Sequence, residues 1–353
     1  MRKRVTMTMI AEACGTSIGT VDRALNDRAE INPETKRLIL ETAEQLGYQR
    51  KASASRPGGK RRIAVIYPRK PEEFYSCIAH GIDKAARKMA SAGIEIEQLF
   101  FDAMTPSSEL DLLGSLDVSR YAGIAINPLG SGCAEYINAF VEKGVPVVTF
   151  NNDLPNSKRL FYVGCNSYQS GRMAGDVLGT LIGGSGGIAV LGNFNHTMPF
   201  FERFDGFCQV VRDNYPDVTI YSSPDCKLDP ELTERNIQNL LTQAPDLRGI
   251  FCTGLSTTIG TVEALKRMDC RSLTVVGYDV CDKTAQMVQE GWCQALIYQD
   301  PHQQGYQATK LLCRHVLDGW LPPQDRLFIE SRIAFRQNVE NYTGGVGQWD
   351  LSI

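Results

Sequence analysis

The 353-residue chain has no run of eighteen apolar residues, so no apolar helix long enough to cross a bilayer is expected. Histidine is scarce, with four in all, and the eleven cysteines are scattered with no Cys-x-x-Cys pair. A zinc site needs such ligands at close spacing. Eleven is also an odd number, so the thiols read as reduced, small apolar core residues rather than a disulfide framework. There is no Walker loop. Gly184-Ser185-Gly186-Gly187 comes near a dinucleotide fingerprint, but it precedes an apolar run, GIAVLG, instead of following one. Its amides therefore cannot line a helix start, and it reads as a helix-to-strand turn. No serine or cysteine stands in a nucleophile elbow, and His80, His302 and His315 fall in helical stretches. The expectation is a protein with no catalytic constellation, no metal and no cofactor. The basic start Arg2-Lys3-Arg4 has the charge of a signal peptide, but Glu12 interrupts the apolar part and no long apolar segment follows, so a cytoplasmic location is expected.

What is present divides the chain by charge. Residues 1–62 carry 13 Lys and Arg against 7 Asp and Glu, a net of +6, whereas the rest carries 24 against 33, a net of −9. The overall −3 hides a basic head on an acidic body, the balance of a nucleic-acid module joined to one that does something else. Within the head, VTMTMIAEACGTSIGTVDRALN (Val5–Asn26) reads as two short helices around a tight turn. The first runs from about Met7 to Cys14, with Ile10, Ala11 and Cys14 on one face, and Gly15 ends it as a left-handed cap. Ser17 stands where an N-cap stands. The second helix turns Val21 and Leu25 inward and leaves Ile18, Gly19, Asp22 and Arg23 facing out. That is the helix-turn-helix pattern, whose second helix fits the DNA major groove.

A third helix begins at Asn32-Pro33-Glu34-Thr35, where a cap, a proline and an acid agree, and should reach about Leu46 with Leu38, Ile39, Ala43 and Leu46 on its inner face and Gly47 as its stop. The stretch QRKASASRPGGKRR (Gln49–Arg62) is a basic linker.

The stretch Val5–Tyr48 resembles the DNA-binding head of the LacI/GalR family of bacterial repressors, through VTMTMIAEACGTSIGTVDRALN and INPETKRLILETAEQLGY. The resemblance implies that Ile18, Gly19 and Arg23 face base edges. Arg23 is the strong reader by chemistry, because a guanidinium can bond both acceptors of a guanine. Thr6, Ser17, Thr20 and Asn26 are placed to bond phosphates, which position a module without specifying sequence. The linker departs from the family: Pro57 stands where a hinge helix usually carries the leucine that wedges into the minor groove, although Ala52–Ser55 could still form a helical turn.

From Ile63 onward, apolar runs alternate with amphipathic stretches. The runs are IAVIYP, EIEQLFF, GIAIN, VPVVTF, GIAVLG, VTIYSS, GIFCTG, LTVVGYD and CQALIYQ. Helical stretches between them include Cys77–Ala92, Gly132–Lys143, Gln169–Ile182, Arg203–Asn214, Pro230–Gln243 and Gln303–Leu317. The pattern predicts doubly wound parallel sheets, two of them over this length, with a lobe boundary near Val163 and chain returns near Gln299 and Pro322. Ligands of such sheets bind beyond the carboxyl ends of the strands. The polar residues there are Asn127, Asn151, Asn152, Asp279 and Gln299; Phe74 and Tyr75 follow the first strand, and Arg203 lies near the start of the helix after GIAVLG. Amides, one carboxylate and aromatic faces suit a polyhydroxylated ligand. Asn and Asp also cap helices at such turns, so each alone could be a cap, and Phe74 and Tyr75 could equally be core.

Arg62 to about Asn338 resembles a type 1 periplasmic sugar-binding protein of the ribose-binder class, also the regulatory domain of LacI/GalR proteins. The motifs are NPLGS, GVPVVTFNND, RMAGDVLG, ERFDGF, VVGYD and ALIYQDPHQQGYQA. The resemblance makes Phe74, Tyr75, Asn127, Asn151, Asn152, Arg203, Asp279 and Gln299 sugar contacts. It departs at Asn151-Asn152, where ribose-like binders carry Asp-Arg, and at Gly254-Leu255, where they carry Asn-Asp, which implies a ligand other than ribose. Phe194, His196 and Phe200 stand where they could reshape the pocket. The expected protein is thus a small all-α three-helix head (1–48), a basic hinge (49–62), a two-lobed α/β effector body (63–340) and a flexible tail (341–353). The expected function is a homodimeric, sugar- or polyol-controlled repressor bound to operator DNA. The alternative is a sugar-transport receptor, which has no use for a basic head.

Overall fold

The computed structural model describes residues 6–25, 31–46, 61–69, 73–101, 106–192, 198–222 and 230–343. The chain divides into two compact units, Met1–Gly59 with Arg314–Trp320, and Lys60–Cys313 with Leu321–Ile353.

In the first unit three helices, α1 (Met7–Ala13), α2 (Ile18–Leu25) and α3 (Pro33–Gln45), share a small core of Ile10, Ala11, Val21, Ala24, Ile39 and Ala43. The Thr6 hydroxyl caps α1 by accepting the Met9 amide at 3.4 Å, and Ser17 caps α2 by accepting the Thr20 amide at 3.1 Å. Gly15 takes the left-handed conformation between them, with φ of 60°. One part of the expectation fails. Leu38 and Leu46 are exposed, at 49 % and 38 %, not inward-facing. Neighbours 38 and 39 are a hundred degrees apart on a helix, so when Ile39 points at the core Leu38 cannot, and Leu46 lies one residue past the end of α3. Gly47, the expected hinge with Pro57, and Asn26 lie outside the described residues.

The second unit holds two six-stranded sheets. The first is built from β1 (Arg61–Pro68), β2 (Ile94–Phe101), β3 (Gly123–Ile126), β4 (Val147–Phe150), β5 (Tyr162–Cys165) and β11 (Arg326–Ile329), in the order β11-β5-β4-β3-β1-β2 and all parallel. Its helices are α4 (Glu73–Met89), α5 (Pro106–Ser115) and α6 (Cys133–Glu142). The second sheet contains β6 (Ser185–Leu191), β7 (Asp217–Ser222), β8 (Leu247–Cys252), β9 (Thr274–Tyr278), β10 (Ala295–Tyr298) and β12 (Arg332–Ala334), ordered β12-β10-β9-β8-β6-β7, with only β12 antiparallel. Its helices are α7 (Ser167–Leu181), α8 (Met198–Asn214), α9 (Pro230–Gln243), α10 (Leu255–Arg267) and α11 (Asp282–Gln289). A last helix, α12 (Pro301–Asp318), leads from β10 back to β11. The strand orders match position for position, so the two lobes repeat one plan.

Strand alternation supplies both cores of the second lobe. Ile250 and Cys252 of β8 point to the layer with Ile237, Val262 and Met287, while Phe251 between them stacks on Phe207 at 4.4 Å in the layer with Ala174 and Val211. The sheet is therefore covered on both faces, as doubly wound sheets are. The pattern missed the short strands β5, β11 and β12; helices α5, α10 and α11 separate further strands beyond the helical stretches named from the sequence. It also put Phe74 and Tyr75 before the first helix, whereas they lie in the first turn of α4. The chain passes between lobes after Cys165, around Asp300 and at Glu330-Ser331. The last crossing is later than Pro322 because β11 first pairs with β5 in the first sheet. The stretch expected to be loose from residue 341 begins with an ordered turn, Val339–Tyr342, and Tyr342 packs on Tyr298 at 4.7 Å.

Candidate functional site

The ends of equivalent strands in the two lobes present equivalent residues. Asn127 leaves β3 with its amide bonded to the Ile66 carbonyl of β1, and Thr253 leaves β8 with its amide bonded to the Leu191 carbonyl of β6. Asn151 follows β4 and Asp279 follows β9, and both hold left-handed backbones, with φ of 61° and 65°. Asp300, two residues past β10, has φ of 50°. Side chains that adopt this region cost about 1–3 kcal/mol each and persist where the surroundings demand a fixed side-chain direction. Such residues gather at these strand ends.

Around Asp279 the side chains form one chain of hydrogen bonds. Arg203 Nη2 donates to Gln299 Oε1 at 2.6 Å, and Gln299 Nε2 donates to Asp279 Oδ1 at 2.8 Å. Arg203 Nη1 is held by the Thr253 carbonyl at 2.7 Å, and its guanidinium lies 4.2 Å from the centre of the Tyr278 ring. Burial holds the Tyr278 hydroxyl well above the usual phenol range, and Ser170 is its hydrogen-bond partner at 2.8 Å. Arg203 comes to this place because α7 and α8 cross closely: a Cβ on Gly171 would run into the Arg203 carbonyl, and one on Gly206 into that of Tyr168.

Gln304 of α12 extends the network to the first lobe. It is fully buried, accepts from Asn151 Nδ2 at 3.1 Å and donates to the Gln299 carbonyl at 2.9 Å. The Cys165 thiol, pushed up to about 12 by burial, bonds the same carbonyl at 3.1 Å. At the far side, Glu73 Oε2 accepts the Asp282 amide at 2.9 Å, which joins the start of α4 to the start of α11 just past Asp279. Phe74 and Tyr75 follow Glu73, edge to face at 5.4 Å.

Asn151, Arg203, Asp279 and Gln299 are thus brought into one network, and Phe74 and Tyr75 follow Glu73 in the first turn of α4. Asn127 is fully buried, and neither end of its carboxamide has a partner among the described residues. Asn152 is turned the other way: its amide donates to the Pro128 carbonyl at 2.9 Å and holds the loop after Asn127. Gln304 and Thr253 escaped the sequence reading; the second has a buried hydroxyl and Arg203 has an Nε without a partner among the described residues. Buried polar atoms left unmatched are costly, and several at one strand-end cluster mark a place where polar groups of another molecule would fit. The hydrogen-bonded network has one cation, Arg203, one carboxylate, Asp279, and several amides, with the carboxylates of Asp300 and Glu73 nearby and no cluster of His, Cys, Asp and Glu able to hold a metal among the described residues. Phe194 and His196 lie outside the described residues.

Residues 63–319 match the family model of the periplasmic binding protein domain. The chain belongs to that family. It is similar to the ribose import binding protein RbsB of Escherichia coli (strain K12), 24% identical over 247 residues, which span 70% of this chain and 81% of that protein. It is also similar to the sucrose operon repressor of Pediococcus pentosaceus, 25% identical over 276 residues, 76% of this chain and 80% of the other. Among solved structures, a solute-binding protein from Burkholderia graminis C4D1M in complex with D-arabinose superposes with a TM-score of 0.74 at 21% identity, over 82% of this chain and all of that one. One from Bacillus halodurans C-125 with bound myo-inositol gives 0.71 at 19%, over 82% and 99%. These two show the shared two-lobed fold.

In the first unit, Ile18 is 49 % exposed at the start of α2 and Gly19 is exposed beside it. The Ser17 and Thr20 hydroxyls bond each other at 2.9 Å. Thr6 and Ser17 serve as caps and still present their oxygens at helix starts, where backbone amides and anions meet. Arg23 belongs to α2; its side chain, like all of Asn26, lies outside the described residues. No described helix is long and apolar enough to cross a membrane.

Proposed function

We propose that this chain is a cytoplasmic transcriptional regulator whose body binds a small sugar or polyol between its lobes. A homodimer places two helix-turn-helix heads on a roughly palindromic operator, because one head contacts too few bases to be selective. Operator binding is released when the ligand shifts the balance between lobe arrangements. The observation that carries the reading is the three-helix unit with its capped, short second helix, set in a segment of net +6 ahead of a periplasmic-binding-protein body. That the relatives include the sucrose operon repressor supports a regulator, and that others bind ribose, arabinose or myo-inositol supports a sugar or polyol ligand. Arg203, bridged to the Asp279 carboxylate through Gln299, suits hydroxyls better than a phosphate, for which one guanidinium with both terminal nitrogens already bonded offers little.

The test is selection of bound DNA from a random pool by the full chain, followed by titration of sugars and polyols against the complex. Arg23→Ala should abolish discrimination between selected and random DNA while ligand binding persists. Asp279→Ala should retain DNA binding and lose the ligand response. Failure to enrich any DNA sequence would overturn the regulator; enrichment without release or tightening by any sugar or polyol would overturn the effector class.

A further inference from the structure

The β8 exit differs from the exits of β3, β4, β9 and β10. The exits of β3, β4, β9 and β10 carry Asn127, Asn151, Asp279 and Gln299. The exit of β8 carries Thr253, then Gly254 and the buried Leu255. Gly254 has no side chain, and an aromatic ring fills the room where one would stand: a Cβ added there would come 2.8 Å from Cε1 of Phe200. Phe200 sits in the first turn of α8, half-buried, one turn before Arg203, whose guanidinium lies 5.3 Å from the Phe200 ring centre. The ring is thus fixed from two sides, by the bare backbone of Gly254 and by the cation that belongs to the hydrogen-bonded network.

We infer that Phe200 and Gly254 form an apolar specificity subsite that selects a deoxy sugar, one that turns a methyl group or an unsubstituted carbon toward β8. The inference rests on the sugar-binding reading of the same site. A ligand held by Asn151, Asp279, Gln299 and Arg203 has its oxygens bonded at the exits of β4, β9 and β10. At the exit of β8 it meets an aromatic ring. An oxygen placed against the face of that ring gives up its water and gains no partner from the ring, whereas a methyl group gains contact. Thr253 leaves a single hydroxyl at this end, which can serve one oxygen of the ligand while the ring face beside it serves none. A site that pairs polar groups on one side and an aromatic face on the other discriminates by one oxygen, and a missing or added group of that size is worth about tenfold or more in affinity.

The experiment measures affinity of the full chain for matched pairs that differ in one oxygen: D-fucose with D-galactose, L-rhamnose with L-mannose, and D-quinovose with D-glucose. The expected result is that at least one deoxy member binds about tenfold or more tightly than its partner. Phe200→Leu, which keeps bulk and removes the ring, and Gly254→Ala, which displaces the ring by one methyl group, should each bring that ratio to about threefold or less, a size that one weakened contact leaves. Two variants of opposite character keep the test standing if one fails to fold. Hydroxylated members that bind as well as their deoxy partners would overturn the subsite and leave the sugar reading intact. A deoxy preference unchanged in both variants would also overturn it. Silence of every sugar and polyol would remove the sugar reading itself, and the subsite with it.

Discussion

At the scale of single residues, Glu109 shows how far the site reaches below its surface. This α5 carboxyl is fully buried beneath the loop that follows Asn127; Oε2 accepts the Leu129 amide at 3.0 Å, and Oε1 has no partner among the described residues. Burial raises its pKa, while bonds from Cys133 and Leu129 oppose the rise. A raised native value means the folded state holds the proton more tightly than the unfolded state. The stability that comes from the protonated form is therefore present at low pH and is lost as pH rises above the ordinary carboxylate range. Glu109→Gln imitates the protonated acid. It should be nearly neutral at pH 4 and should stabilise by about 1 kcal/mol at pH 8, seen as a rise in melting temperature of about 2–4 °C. Equal effects at both pH values would show that the carboxyl's charge is not what costs stability.

At the scale of elements, the crossing of α7 and α8 sets where Arg203 can be. Gly171 and Gly206 let the two backbones approach until side-chain atoms would collide, and Arg203 stands on that crossing. Gly171→Val should cost about 1–3 kcal/mol in denaturant unfolding, the usual penalty of overpacking. Ligand affinity should fall by at least tenfold under conditions where the variant remains folded, because misplacing Arg203 breaks bonds to both Thr253 and Gln299. Unchanged affinity in a destabilised protein would mean that Arg203 is not held by the crossing. The elements themselves were largely legible. Runs such as IAVIYP and GIAVLG are buried on both faces, and a parallel strand covered by helices on both sides reads as one continuous apolar run. The strands YVGC, RLFI and RIA were not, since four residues or fewer, interrupted by glycine or arginine, carry no period to read. At the site, Asn151, Asp279 and Gln299 were legible because strand ends are where such sheets bind ligands. Gln304 lies inside a helix, Thr253 looks like ordinary strand polarity, and the Phe200–Gly254 pair is joined only by the packing of α8 against β8's exit. Nothing local in the sequence marks a contact made across fifty residues.

At the scale of the whole molecule, the proposed function requires that the two lobes have more than one arrangement and that a ligand prefers one of them, since a ligand shifts an equilibrium only by its differential affinity. Among the described residues, contacts of two kinds join the lobes. One is buried and polar, Asn151 through Gln304 to Gln299, and lies beside the crossing strands near Asp300. The other is exposed and lies at the start of α4: the Glu73 carboxylate from the first lobe caps α11 in the second by accepting the Asp282 amide. Contacts beside the crossings change least when lobes move about them, and contacts farther out change most. Glu73 therefore reports on closure. A carboxylate at a helix start is worth about 0.3–1 kcal/mol, which is lost when the lobes part. Glu73→Ala should weaken ligand affinity by about two- to fivefold, the factor that energy corresponds to, with little change in unfolding of the ligand-free protein. Under the regulator function proposed above, the same variant should raise the ligand concentration needed to change DNA binding by that factor and leave DNA affinity without ligand unaltered. Affinity that stays at its original value would place the Glu73–Asp282 bond in both arrangements and remove it from the proposed switch.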